Sequence, residues 1–421
     1  MLQRSFLLSL TVLALLFAAG PRVTTSPAFA QDADADADAA LSWNQRGLEL
    51  SSKGQFEAAL KAFHKADGLA PGDAIVKKNV ALTHANWGVA LLKAGKLEDA
   101  EAQTRLALKV LPDDPIVRLN LAECLDRRGY PARAAKQVLL AAKNGPEVAA
   151  VQRKLGAVHY REGRLAEAVA VWEKAVSLDP KHASTKTRLG RAKASLALEK
   201  RLSYDVSANF TIYFEMEKHA VLASLVLREL EDAHQIVQTE LQSTSRERLK
   251  VVLLSAEEFS AVTGAHTWVA GLFDGQIRLP VKDAGDKHEI LLRTARHEYV
   301  HAVLAKLGRR APSWLHEGLA QVHEGRPAKS ARARLKATKV RLAYADLTRT
   351  FAATAKRDRA RQQYDTALAF TAWLREGERT SAYSSALQAL FAGASLEKAF
   401  QDAYDKTLPK LYEQFDASLT Q

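Results

Sequence analysis

Apolar and small residues recur along this chain on two scales. Over short windows they follow the i, i+3, i+4 spacing of helices with one buried face, and over longer distances a whole frame returns. Starting at Ala40, a 34-residue unit carries Trp43, Gly47, Leu50, Ala59, Phe63, Ala66 and Pro71 at its positions 4, 8, 11, 20, 24, 27 and 32. The frame restarts at Ala81 (Gly88, Leu91, Ala100, Ala107, Pro112), at Pro115 (Ala122, Ala134, Ala141, Pro146) and at Ala149 (Leu155, Gly156, Ala168, Trp172, Ala175, Pro180). The last three units step by 34 residues, whereas the first gap is 41, so a helix or loop is longer there.

From residue 203 the texture changes. Val206–Phe214 and Leu249–Leu254 read as strands by their β-branched and apolar content, with a helix over His219–Thr239 between them. Asp274-Gly275 suggests a tight turn into a further strand reaching Val281, and Pro280 argues that this strand lies at a sheet edge. An apolar-periodic run, His288 to Leu307, is then ended by Gly308.

The repeat has a physical reading position by position. Small residues at 8 and 20 let two helices approach, large ones at 4 and 24 fill the space between units, and proline at 32 stops the second helix. In this it resembles the tetratricopeptide repeat. The resemblance implies an α-solenoid over residues 40–202, with a last helix at about 183–202, carrying Gly190 at position 8, as its cap. It further implies a concave face that binds a peptide or protein partner; an array that only spaces or stabilises the next domain is the other reading. Trp43, Trp87 and Trp172 are expected in the core, and Cys124 as a small buried hydrophobe.

Composition narrows the classes. With 421 residues, 47% hydrophobic and 26% charged, the chain is globular, helix-leaning and long enough for two or three domains. A single cysteine excludes disulfide frameworks and cysteine-clustered metal sites, so any metal is held by histidines and carboxylates. Residues 1–30 combine a basic start, an apolar run from Ser5 to Ala19, Pro21 and the small-residue site Ala28-Phe29-Ala30, the pattern of a cleaved signal peptide. An uncleaved anchor is the alternative, but the run is shorter than the ~20 residues of a membrane span. Export, to a bacterial periplasm or beyond, is therefore expected, with no membrane span after cleavage and an acidic linker over 31–39. Losing Arg4 and Arg22 lowers the formal charge from +12 to +10. Twelve Lys/Arg against Asp346 and Asp358 lie between Arg326 and Arg361. Without interleaved aromatics this run reads as a solvated helical face, and no nucleic-acid partner is expected.

The segment that carries chemistry is His297-Glu298-Tyr299-Val300-His301. On a helix, residues four apart share a face, so both imidazoles can hold one ion while Glu298 serves as general base toward a water beside it. A third ligand is needed, and Glu317 stands sixteen residues on, one turn into a helix begun at Pro312 or Ser313 and ended by Gly325-Arg326-Pro327. His316 and His323 are spare candidates, read as exposed neighbours, and Tyr299 as packing.

With Trp314-Leu315-His316-Glu317-Gly318, the region from about 203 to 418 resembles the gluzincin zinc metallopeptidases of the peptidase MA superfamily, whose third ligand comes from a Trp-x-x-Glu-Gly helix. The resemblance implies an α+β zincin-like domain with a small mixed sheet over 203–421, making the whole chain mostly α. It implies one Zn2+ on His297, His301 and Glu317, peptide hydrolysis assisted by Glu298, and an edge strand over 271–281 that binds extended peptide. Gln321 falls where a group could orient a ligand histidine. Tyr364, opening the helix Gln363–Leu374, matches the family's catalytic tyrosine, although the Lys-Gly that usually follows is missing. The amine-anchoring motif of aminopeptidases is also missing, so an endopeptidase is expected. The alternative is a catalytically silent scaffold or assembly protein that works through its repeats.

Overall fold

The computed structural model describes residues 27–420 except 242–247, 266–268, 282–287, 339, 349–350 and 352–356. The expected signal segment therefore lies, up to residue 26, outside the described residues. Packing divides the chain into two compact units, one of residues up to 128 with 132–151, the other of 129–131 with 152 onward.

The first unit is a run of helix pairs: α1 (Pro27–Ser52) with α2 (Phe56–Leu69), α3 (Ala74–Lys93) with α4 (Leu97–Val110), and α5 (Pro115–Arg127) with α6 (Pro131–Asn144). Asp73 and Asp114 cap α3 and α5, each accepting from the two amides that begin the next turn. α2, α4 and α6 stop two residues before Pro71, Pro112 and Pro146, as proline's exclusion from helices requires. Ala59, Phe63 and Ala66 are buried, as is Cys124. Trp43 departs from expectation: 37% exposed, it carries the Lys65 ammonium 4.0 Å above its ring. Trp87 is half-buried, stacked on Phe56. The stretch 31–39, expected as a linker, is helical within α1. Alanine at every second position favours helix there.

Apart from 129–131, the second unit opens within α7 (Ala149–Arg161), at residue 152, and continues with α8 (Leu165–Leu178) and α9 (Ala183–Arg201). Trp172 is in their core with Ala168 and Ala192. α9 does more than cap the stack. Its Leu198 and the following Leu202 pack with Val252, Leu254, Phe259 and Val262, so the core runs through the expected 202/203 boundary.

A five-stranded mixed sheet follows, in the order β1-β2-β3-β5-β4, from β1 (Ser203–Val206), β2 (Phe210–Phe214), β3 (Leu249–Leu254), β4 (Leu272–Phe273) and β5 (Ile277–Pro280). β2, β3 and β5 are parallel, joined through α10 (Met216–Leu241) and α11 (Ala256–Thr263), while β1 and β4 are antiparallel flanks. The expected single strand 206–214 is instead a hairpin. Glu231 accepts from Ser207 Oγ and from Asn209 N and Nδ2, which fixes the turn between β1 and β2. The strand with Pro280 is likewise not at the edge, because β4 flanks it. β4 is only two residues long and pairs with Ile277 and Arg278, so it ends before Pro280 and needs no amide from it.

α12 (His288–Leu304) crosses this layer and is continued by a 3-10 turn, Ala305–Arg310, in which Gly308 breaks helical geometry. Then come α13 (Ser313–His323), α14 (Ala328–Lys336), α15 (Tyr344–Leu347), α16 (Arg357–Leu374), α17 (Arg379–Phe391), α18 (Leu396–Tyr404) and α19 (Leu408–Ser418). One large core joins the sheet to these helices and includes Trp314 and Phe370, whose rings lie tilted to one another at 5.0 Å. Among the described residues no helix is long and apolar enough to cross a membrane.

Candidate metal centre

α12 is two-faced. Ala295, Tyr299, Val300 and Val303 turn into the core, and Tyr299 packs against Phe210 and His234. The opposite face presents His297 and His301, whose Nε2 atoms are 3.1 Å apart. α13 brings Glu317 to them: its Oε2 is 3.6 Å from His297 Nε2 and its Oε1 3.8 Å from His301 Nε2. One donor atom from each of the three lies within 4.8 Å of the others. Ligands about 2.0–2.1 Å from a tetrahedral ion stand roughly 3.3 Å from one another, so two imidazole nitrogens and a carboxylate oxygen at these separations fit a divalent ion.

The electrostatics set the two histidines apart. Burial drives His301 down to about 3, leaving the neutral imidazole a ligand needs. Burial pulls His297 the same way, but its bonds to Glu317 and Glu324 prevail and raise it to about 9. Burial pushes Glu298 up to about 7, against the pull of His297 and the Phe273 amide. Burial also raises Glu317, yet its contacts with His297 and His301 hold it below the usual carboxylate range.

The surrounding shell differs from expectation. Gln321 does not orient a histidine; its amide donates to the backbone carbonyls of Glu317 and Tyr364, tying α13 to α16. The residue that orients His297 is Glu324, whose Oε2 accepts from Nδ1 at 3.1 Å and is itself held by Arg326 Nε at 2.8 Å. Its position seven after Glu317, two turns along the same helix face, was the available signal. Replacing Glu324 by Gln should lower zinc affinity roughly 10–100-fold, measured by competition with a chromophoric chelator, with little change in thermal midpoint.

Gly318 sets how closely α13 approaches α16. A methyl there would overlap Thr371 Oγ1 and stand 2.6 Å from the Ala367 carbonyl oxygen. Gly318→Ala should therefore cost about 1–3 kcal/mol in denaturant unfolding, since that backbone cannot yield cheaply.

Tyr364 lies on α16, 37% exposed, with Phe351 edge-on to its ring at 5.5 Å. Burial and the nearby Glu317 and Glu298 carboxylates raise its hydroxyl to about 12, so it stays protonated and able to donate. The His316 ring lies tilted, 5.7 Å from that of His301, and is not among the converging donors. His323 is not exposed as expected; it stands 3.1 Å from Glu240 Oε2, which also pairs with Arg375. In the basic run, Arg332, Arg334, Arg341 and Arg359 pair with Glu376, Asp365, Asp416 and Asp346. Those four of the twelve charges are spent on internal pairs.

Family models describe tetratricopeptide repeats at residues 40–73, 86–147 and 149–182. Among solved structures, the chain is similar to YrrB, a TPR protein with an unusual peptide-binding site, at 18% identity and a TM-score of 0.25, covering 38% of this chain and 96% of that one. It is also similar to a thermophilic TPR protein of Thermus thermophilus, at 20% identity and a TM-score of 0.24, covering 37% and 99%. The search of curated proteins gave no match. The segments 40–73, 86–147 and 149–182 are tetratricopeptide repeats.

Proposed function

We propose that the chain is an exported, zinc-dependent peptide hydrolase of gluzincin type, acting as an endopeptidase, whose repeats recruit a protein substrate or partner. One observation carries the hydrolase reading: His297, His301 and Glu317 converge within 4.8 Å while Glu298 stands buried beside them. Glu317 and the two imidazoles would hold one Zn2+, with Glu324 fixing the ring of His297. Once bound, the ion supplies Lewis acidity, making water acidic near neutral pH and polarising a carbonyl.

The remaining chemistry belongs to the chain. Glu298 takes a proton from the attacking water at its carboxylate and delivers it to the departing amine nitrogen. The Phe273 amide, donating to that carboxylate, keeps it aimed. Tyr364 donates from its hydroxyl to the oxyanion that develops on the scissile carbonyl. Tyr299 of α12 and Trp314 of α13 are buried in the core behind the site.

A second reading has its own support. The family matches fall on the repeats, and tetratricopeptide proteins bind peptides or protein partners, so a protein-binding scaffold is the role those matches favour most directly. Under it the metal centre is structural. Peptide hydrolysis by purified zinc-loaded protein, compared with Glu298→Gln, separates the two: turnover lost in the variant supports the hydrolase, and equal or absent turnover in both supports the scaffold.

A further inference from the structure

The hairpin that joins β4 to β5 does not stand alone. Tyr160, at the end of α7 in the fourth repeat, donates from its hydroxyl to Asp274 Oδ2 at 2.6 Å. Arg278 Nε reaches both oxygens of the same carboxylate, at 3.1 and 3.3 Å, and its Nη2 donates to the Tyr160 hydroxyl at 3.4 Å. This guanidinium is 1% exposed, so it depends on these partners for its charge to be tolerated. Gln276 donates to Glu199 on α9 at 2.6 Å, and Glu199 also holds Lys250 of β3. Gly275, at φ 113°, lies so close to α7 that a Cβ would be 2.6 Å from the Tyr160 carbonyl oxygen. On the other side of the same hairpin, Phe273 donates its amide to Glu298, and a Cβ on Gly271 would stand 2.9 Å from Glu298 Cγ.

From this chain of contacts we infer that Tyr160, Asp274 and Arg278 are positioning residues for Glu298, the fourth repeat holding the hairpin that aims the general base. The inference rests on the hydrolase reading for its consequence in turnover, but the mechanical link stands without it. The fourth repeat is thus a working part of the catalytic unit. Strand β4 is two residues long, too short to fix its own place by ladder bonds, and the lock supplies what the ladder cannot. Burial and the Asp274 charge hold the Tyr160 phenol above its usual range, so the hydroxyl remains a donor at every working pH.

The test compares full-length Tyr160→Phe with wild type and with Tyr404→Phe, which removes another part-buried hydroxyl bond, to the Leu374 carbonyl, in the same unit. Amide exchange of the metal-free proteins is read at residues 272–280, beside zinc affinity, thermal midpoint, and kcat and KM for peptide hydrolysis. Tyr160→Phe should exchange roughly tenfold faster at Phe273 and its neighbours, the scale of one hydrogen bond to a charged group, with α12 and zinc affinity unchanged. Tyr404→Phe should leave these amides as in wild type. In turnover, Tyr160→Phe should lower kcat several-fold with KM little altered. Unchanged exchange at 272–280 overturns the positioning role whatever the activity. Faster exchange with wild-type kcat overturns its link to Glu298. Faster exchange in a wild-type background without turnover keeps the lock and rejects the hydrolase.

Discussion

Glu298→Gln should reduce peptide hydrolysis by a factor of about 10²–10⁴, the usual worth of a positioned acid–base group, while one equivalent of zinc is retained. The amide keeps an oxygen to accept from Phe273 and the same shape against Gly271, but it cannot carry a proton between water and amine. Folding should not suffer. Burial opposes the charged form of Glu298, so a neutral isostere relieves that cost and the thermal midpoint should stay level or rise. Steady-state assays with metal analysis of the same samples check this. A variant with reduced zinc, or with wild-type turnover, contradicts the role.

Glu317→Ala has the larger effect on metal. It removes the carboxylate that faces both imidazoles at 3.6 and 3.8 Å, one of the three converging donors. Zinc affinity should fall by well over the roughly 100-fold that marks loss of an outer partner such as Glu324, and turnover should disappear with it. Calorimetric titration of both variants beside wild type gives the ordering: wild type tightest, Glu324→Gln intermediate, Glu317→Ala weakest. If Glu317→Ala binds as tightly as wild type, that carboxylate is not a ligand.

The sequence made the centre legible where periodicity alone decides geometry. Residues 297 and 301 had to share a helix face, and Pro312 with Gly325 bounded the helix that delivers Glu317. The repeat frame foretold where α2, α4, α6 and α8 stop, because proline acts on its own backbone and needs no distant partner. What failed depended on tertiary neighbours. Pro280 reads as an edge residue until one sees that β4 is too short to reach it. Val206–Phe214 reads as one strand until Glu231, on α10, folds its middle into a turn. Gln321, on α13, and Glu324, just past its end, both neighbour the converging donors, and only the rotation of His297 decides that Glu324 is the one that pairs with its Nδ1. Trp43 matched the repeat pattern but stands in the first unit's opening helix, where no preceding repeat among the described residues covers it.

The measurement that bears most directly on the account is zinc stoichiometry of the purified full-length chain after chelation and reloading. With His297, His301 and Glu317 intact it should bind one equivalent, and His301→Ala should bind none at the same free zinc concentration. Wild-type protein that takes up no zinc, or a His301→Ala variant that still takes up a full equivalent, would contradict the claim that these three side chains form a metal centre.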